Sequence, residues 1–283
     1  MSVHFCVLGS GSLGNAALLM TPHAHVLIDA GFSPDEMSSR MDGTGASWES
    51  LDAVVLTHTH ADHLKKKCLT FLVEHEIKFH CHARHAEQLS GGRYFNRLRE
   101  AGLVHVYEEQ TAFEIAAALR FQPIAVPHDC PPTFGFKIEA RGTVPVTEPA
   151  AQMERWVKLG YLVDLGDCAE EMVAAMADVD LLALEFNHDE HMERNSGRHP
   201  NLIQRVLGKF GHLSNAQAAE VFRRVLESGV NGGPKFLVQM HLSRDCNRAD
   251  IAYQAAQEVL LLTGAQTRVY STRQDRRGTV HTL

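Results

Sequence analysis

Residues 56–66 read LTHTHADHLKK, with three histidines and an aspartate inside six positions, His58-x-His60-x-Asp62-His63. Imidazole and carboxylate are the ligands that suit zinc, and also manganese or iron, when thiolate is absent. His58 and His60 stand at alternate positions and can face one pocket. Asp62 and His63, one step further on, can turn toward a second ion. One loop cannot complete such a site, so further ligands must arrive from other strand ends. The candidates are His128 in AVPHD, Asp164 in YLVDLGD and His241 in VQMHLS. Three histidines for one ion, an aspartate and two histidines for the other, and a shared carboxylate make a two-metal site with room for a bridging water. The chain has 18 histidines, so a single one carries little weight. A dense set placed directly after a buried strand carries much more.

Those side chains need strands to end beneath them. DAVVL is a continuous apolar run, which puts residues 57–61 in the loop at its C-terminal end and predicts that Asp62 opens a helix running to about Glu76. Before it, HFCVLGSG, NAALLMTP and HVLIDAG read as short strands, and a helix is predicted over Pro34 to Met41; KFHCH follows as a further strand. In the second half GYLVDLG, DLLALEF and KFLVQMH read as buried strands. Helices are predicted around AEEMVAAMA, SNAQAAEVFRRVLES and ADIAYQAAQEVLL. This is the alternation of a layered α/β fold, in one domain of two similar halves, roughly 1–140 and 141–283. The least ordered stretches are expected at Arg141 to Ala151 and His188 to Asn201.

Composition limits the rest. With 283 residues, 45% of them hydrophobic, the chain can bury a full core. No segment approaches the roughly 20 uninterrupted apolar residues of a membrane helix, and MSVHFCVLGSGS lacks the features of a signal peptide, so a cytoplasmic location is expected. The six cysteines are scattered with no C-x-x-C pair, which fits reduced thiols and leaves metal binding to histidine and carboxylate. A net charge of −7 argues against a non-specific coat of nucleic acid. Local basic groups remain: Lys65 to Lys67; Arg93, Arg97 and Arg99; Arg194, Arg198, Arg205 and Lys209; and Arg268, Arg273, Arg276 and Arg277.

The motif His58-Thr59-His60-Ala61-Asp62-His63 resembles the H-x-H-x-D-H signature of the metallo-β-lactamase superfamily. GSGSLGN, LIDAG, PHDCPPTFGF, VDLGD, EFNHDEHM, FGHLSNAQAAE and HLSRDCN look like its WalJ/YycJ-like branch, related to ribonuclease Z and to cyclic phosphodiesterases. The resemblance runs nearly the whole chain and implies an αββα sandwich of the metallo-β-lactamase type. It implies that His58, His60 and His128 hold one metal, that Asp62, His63 and His241 hold the other, and that Asp164 bridges. Asp29 would brace the histidine loop. Glu185 and His212 match a carboxylate–histidine pair near the leaving group, which can orient an imidazole and keep it charged enough to donate a proton. The residues carrying the reaction would then be Asp62, Glu185 and His212. The chain departs from the branch at Asp129-Cys130-Pro131-Pro132 and Arg244-Asp245-Cys246-Asn247, positions that shape the rim around the ligands rather than the ligand set.

Substrate contacts are read at Ser10, Ser12 and Asn15 of GSGSLGN, whose hydroxyls, amide and backbone can serve a phosphate, and at His188, beside Asp189, His191 and His199. The expected activity is a phosphodiesterase using two divalent ions, zinc first and manganese second, on single-stranded DNA or RNA as a single-strand or 5′-end-directed nuclease. Two alternatives stand beside it: a cyclic phosphodiesterase on a small ribose phosphate, and a non-catalytic partner in a signalling or repair assembly. Monomer and homodimer both fit the sequence, and no membrane partner is expected.

Overall fold

The computed structural model describes residues 2–145, 152–230 and 232–283. The chain divides into two compact units, one of residues 1–123, 138–157 and 274–283, the other of residues 124–137 and 158–273. Neither is a continuous stretch, because the long middle strands pass from one unit to the other.

The first unit is built on a seven-stranded mixed sheet of β1 (His4–Gly9), β2 (Ala16–Met20), β3 (His25–Ile28), β4 (Ala53–Val55), β5 (Lys78–His82), β6 (Val104–Tyr107) and β14 (Val280–Thr282). Its order is β14-β1-β2-β3-β4-β5-β6, antiparallel up to β3 and parallel from β3 onward. Helices α1 (Pro34–Met41), α2 (Cys68–Glu74), α3 (Ala83–Leu89) and α4 (Arg93–Glu100) connect the strands. The β4 sequence AVV is buried at every position, as a strand covered on both faces must be. α1 falls where the sequence predicts it: Ser33 caps Glu36 N–H, Pro34 occupies the first turn, and Asp35 and Glu36 suit the helix dipole. Leu8, Leu18, Leu27, Val54, Leu56, Leu72 and Phe79 are among the residues of the core.

A second seven-stranded sheet has the order β13-β12-β11-β10-β9-β8-β7, with β7 (Phe113–Ala116), β8 (Leu119–Val126), β9 (Thr133–Pro145), β10 (Gln152–Leu162), β11 (Leu181–Glu185), β12 (Phe236–Met240) and β13 (Arg268–Ser271). Strands β10 to β13 are parallel, so their C-terminal ends, Leu162, Glu185, Met240 and Ser271, all close the same edge of the sheet. Helices α5 (Glu170–Met176), α6 (Glu190–Arg194), α7 (Pro200–Val206), α8 (Asn215–Ser228) and α9 (Ala249–Thr263) lie in the second unit. Its core includes Leu162, Val173, Leu182, Leu184, Phe186, Phe222 and Leu237.

Two expectations need correcting. The helix after the histidine motif starts at Cys68, not Asp62. The backbone of residues 62–65 is already committed elsewhere: Asn15 N–H donates to Asp62 O, Ala30 N–H to His63 O, and Lys65 N–H to Ala30 O. The stretch from His188 to Asn201 is ordered, because Asp189 caps α6 at Met192 N–H and His199 with Pro200 starts α7. Of the other expected loop, Arg141 to Pro145 belong to β9, and residues 146–151 lie outside the described residues.

Candidate metal centre

In the first unit, the histidine motif hangs from β4 on a frame of buried hydrogen bonds. Asp29 follows β3, is fully buried, and has the left-handed φ of 63° that costs a non-glycine residue energy. Its Oδ1 accepts from Thr57 N–H at 2.8 Å and from the Thr57 hydroxyl at 3.0 Å, and its Oδ2 stands 2.7 Å from His63 Nδ1. Burial pushes the Asp29 carboxyl up, opposed by His63 and by the Thr57 bonds. As an acceptor, Asp29 draws the His63 proton to Nδ1 and leaves Nε2 with a lone pair for a metal. Gly31 admits no side chain, since a Cβ there would lie 1.8 Å from the Asp62 carbonyl oxygen.

His58 is fully buried, its Nδ1 3.0 Å from the Thr57 hydroxyl and its Nε2 3.0 Å from His60 Nδ1. His60 and Asp62 are half-buried, with Asp62 Oδ2 3.8 Å from His63 Nε2. Asn15 closes the frame. Its Nδ2 lies 2.9 Å from His63 Nε2 and 3.4 Å from Asp62 Oδ2, while its Oδ1 accepts from Gly11 N–H and from the Ser10 hydroxyl. Ser10 and Asn15 are thus buried and bonded to each other, so the glycine-rich loop buttresses the histidine motif; Ser12 is exposed.

In the second unit the remaining candidates gather where β10, β11 and β12 end. Asp164 and His241 both adopt left-handed φ, 59° and 55°, and both are buried. Strained backbone at several strand ends persists only where the surrounding structure holds it, and such positions cluster at working sites. Glu185 is fully buried and divides its oxygens: Oε2 accepts from Leu165 N–H at 2.9 Å, while Oε1 lies 2.8 Å from His212 Nδ1 and 3.0 Å from His241 Nδ1. Burial would raise this carboxyl, but His212 and His241 hold it down to about 2. Asp164 Oδ1 is 3.3 Å from His212 Nδ1 and 3.2 Å from His241 Nδ1. Asp164, Glu185, His212 and His241 each offer a ligand atom, and these atoms lie within 4.8 Å of one another. That donor set of imidazole and carboxylate is one that divalent zinc or manganese accepts. His128 stands at the end of the short segment after β8, with Nδ1 3.2 Å from Gly211 O and Nε2 3.3 Å from Asp129 Oδ1.

Sequence reasoning did not reach the residues that hold these loops. Asn187 Nδ2 donates to His241 O at 2.9 Å and lies 3.0 Å from His241 Nδ1. Asn247 Nδ2 donates to Phe186 O and Asn187 O, joining the two loops after β11 and β12. The position of Asn187, two residues past Glu185 at a strand end, was the available signal. His188 has no exposed surface, and Asp189 and His199 serve as helix caps, so this cluster lies within the framework of the loop; His191 is exposed. At the two departures from the branch, Asp129 pairs with Arg205 and Asp245 with Arg198.

The Beta-lactamase superfamily domain is recognised over residues 24–241, a span that holds the histidine motif and every ligand candidate. The chain belongs to the metallo-β-lactamase superfamily. It is similar to the exodeoxyribonuclease WalJ of Streptococcus pneumoniae, 26% identical over 96% of this chain and 94% of WalJ. It is also similar to the exodeoxyribonuclease YycJ of Bacillus anthracis, 25% identical over 92% of this chain and 90% of YycJ. Among solved structures, the Zn(2+)-bound PqqB of Methylobacterium extorquens superposes with a TM-score of 0.65 at 16% identity, covering 98% of this chain and 99% of PqqB. The fold is therefore the α/β fold of metallo-β-lactamase type that the sequence motifs imply, and the chain is a metal-dependent hydrolase of that superfamily. None of the helices among the described residues is long and apolar enough to cross a membrane.

Proposed function

We propose that the chain is a phosphodiesterase acting on nucleic acid, a nuclease directed to single strands or 5′ ends, working in the cytoplasm. The observation that carries the reading is the Glu185–His212 pair beside Asp164 and His241. In this reading His58, His60 and His128 would hold one zinc ion, Asp62, His63 and His241 would hold the other, and Asp164 would serve both. Such ions supply Lewis-acid polarisation of the phosphoryl group and a bound water of lowered pKa.

The chain's own residues supply the rest. A sugar alkoxide is a poor leaving group unless it takes a proton as the P–O bond breaks. His212 has Nδ1 against the Glu185 carboxylate, so its other nitrogen lies on the opposite ring edge and its side chain remains 17% exposed. Glu185 cannot rotate away, because Oε2 is held by Leu165 N–H. Ser214 caps α8 two residues further on, through a reciprocal bond with Gln217, and so fixes the backbone that carries His212. His212 then protonates the departing oxygen, a role typically worth about 10²–10⁴-fold. The nucleic-acid substrate is supported by the two exodeoxyribonucleases to which the chain is similar over nearly their whole length.

The test compares a 5′-phosphorylated single-stranded oligodeoxynucleotide with a cyclic phosphodiester of ribose, at equal concentration and with the same metal. Faster cleavage of the oligonucleotide, weakening as salt rises, is expected. Robust turnover of the cyclic compound with an intact oligonucleotide would overturn the reading in favour of a small-molecule phosphodiesterase.

A further inference from the structure

Among the described residues, Phe210 is the exposed one of the 13 phenylalanines, with 58% of its surface open; eight others are fully buried. A lone exposed apolar side chain on a surface needs no explanation in itself. Here three further features do. Phe210 stands two residues before His212. Its backbone is tightly held: Gly211 N–H donates to Gly208 O at 2.8 Å and His212 N–H to Val206 O at 3.0 Å, closing a turn after α7. Beneath that turn lies Gly166, where a Cβ would meet the carbonyl oxygens of Gly208 and Lys209 at 2.5 Å, so the Asp164 loop packs directly against it. The aromatic ring is therefore offered to solvent from a fixed support shared with both Asp164 and His212.

Cations flank it. Arg205, 54% exposed, is tied through Asp129 to the segment that ends in His128. Lys209 approaches Asp167 at 3.6 Å with both side chains more than half exposed, a pairing of little energetic weight that a phosphate can displace. An aromatic face with adjacent cations is the arrangement by which proteins hold single-stranded nucleic acid: bases stack on the ring and the backbone follows the charge. A base within a duplex presents no free face for such a contact.

Resting on the nuclease reading above, we infer that Phe210 stacks on the base of the leaving nucleoside, while Arg205 and Lys209 hold neighbouring phosphates. Selection for an unpaired strand then arises at the proton donor itself, without recognition of base identity. Phe210 is a binding residue in this scheme, acting on the position of the leaving oxygen relative to His212.

The test uses the metal-loaded full chain, Phe210→Ala and Phe210→Trp, and two 5′-phosphorylated single-stranded oligonucleotides, one of them abasic at the leaving nucleotide. Phe210→Ala should lower kcat/KM on the normal oligonucleotide about 5- to 100-fold, the range of one lost base–aromatic stack. The abasic substitution should cost the wild type a similar factor, and Phe210→Ala should lose nothing more on the abasic strand. Phe210→Trp should retain the normal rate, and neither variant should shift Tm, since the side chain is exposed. Wild-type cleavage of both strands at rates that Phe210→Ala leaves unchanged would overturn the inference and spare the nuclease reading. Additive losses from the two changes would overturn it as well. An oligonucleotide left intact by the wild type would remove both together.

Discussion

Replacing Asp29 by Asn changes one proton in the frame behind the histidine motif, and the geometry allows its consequence to be worked out. Oδ1 of Asp29 accepts from Thr57 N–H at 2.8 Å, the Thr57 hydroxyl lies 3.0 Å from Oδ1 and 2.9 Å from Oδ2, and Oδ2 faces His63 Nδ1 at 2.7 Å. An asparagine in the same rotamer keeps the Oδ1 contacts and places an NH2 group where Oδ2 was. That group can only donate, so Nδ1 of His63 must accept and the ring proton moves to Nε2, the nitrogen proposed to bind metal. Restoring the metal-binding tautomer leaves two N–H groups facing each other in a fully buried site, a loss of about 1–3 kcal/mol. At about 1.4 kcal/mol per tenfold, metal affinity at that position should fall roughly 10- to 100-fold, the usual scale for an orienting carboxylate. Thermal stability of the metal-free chain should change little, because the Thr57 N–H keeps its acceptor. Asp29→Ala orphans that N–H and should lower both stability and affinity. Competition against a fluorescent zinc chelator measures the affinities, and metal-free melts measure the stabilities. Unchanged zinc affinity in Asp29→Asn would refute the tautomer argument.

Metal analysis of the purified wild type should find close to two transition-metal ions per chain, with Asp164→Ala losing occupancy and activity together; one ion with full activity would end the dinuclear proposal. His80 and His281 are each held down to about 4, in both cases by burial. Unfolded histidine takes up a proton near pH 6.5, whereas these folded sites resist it. Their contribution to stability is complete above about pH 6.5 and is lost as pH falls toward 4. His80→Gln, which cannot take up that proton, should therefore flatten the decline of metal-free Tm between pH 7 and 5, and an unaltered slope would count against the assignment.

The histidine motif was legible because a buried apolar run ends directly before it, so sequence position translated into loop position. The helix expected from Asp62 was misplaced because its backbone groups are claimed by Asn15 and Ala30, partners 33 to 47 residues away that no local pattern reports. Strand β9 carried a readable signal over its middle: Phe136, Ile138 and Ala140 are fully buried and alternate with the half-buried Lys137 and Glu139. The left-handed backbone of Asp29, Asp164 and His241 was not readable. Each is an ordinary residue type whose strain is imposed by the strand ends and the hydrogen bonds around it. The same holds for Ser10 and Asn15, where the types suited a phosphate contact but burial gave them a supporting role.

The role of the Glu185–His212 pair is open to direct measurement, by comparing His212→Ala on an oligonucleotide and on bis(p-nitrophenyl) phosphate. A sugar alkoxide must be protonated as it leaves, while nitrophenolate departs without help. His212→Ala should therefore cost about 10²–10⁴-fold on the oligonucleotide and little on the activated ester. Glu185→Gln should repeat the asymmetry in milder form, and His60→Ala, which removes a proposed ligand, should depress both substrates alike. Equal losses on the two substrates for His212→Ala, at unchanged metal content, would contradict the account.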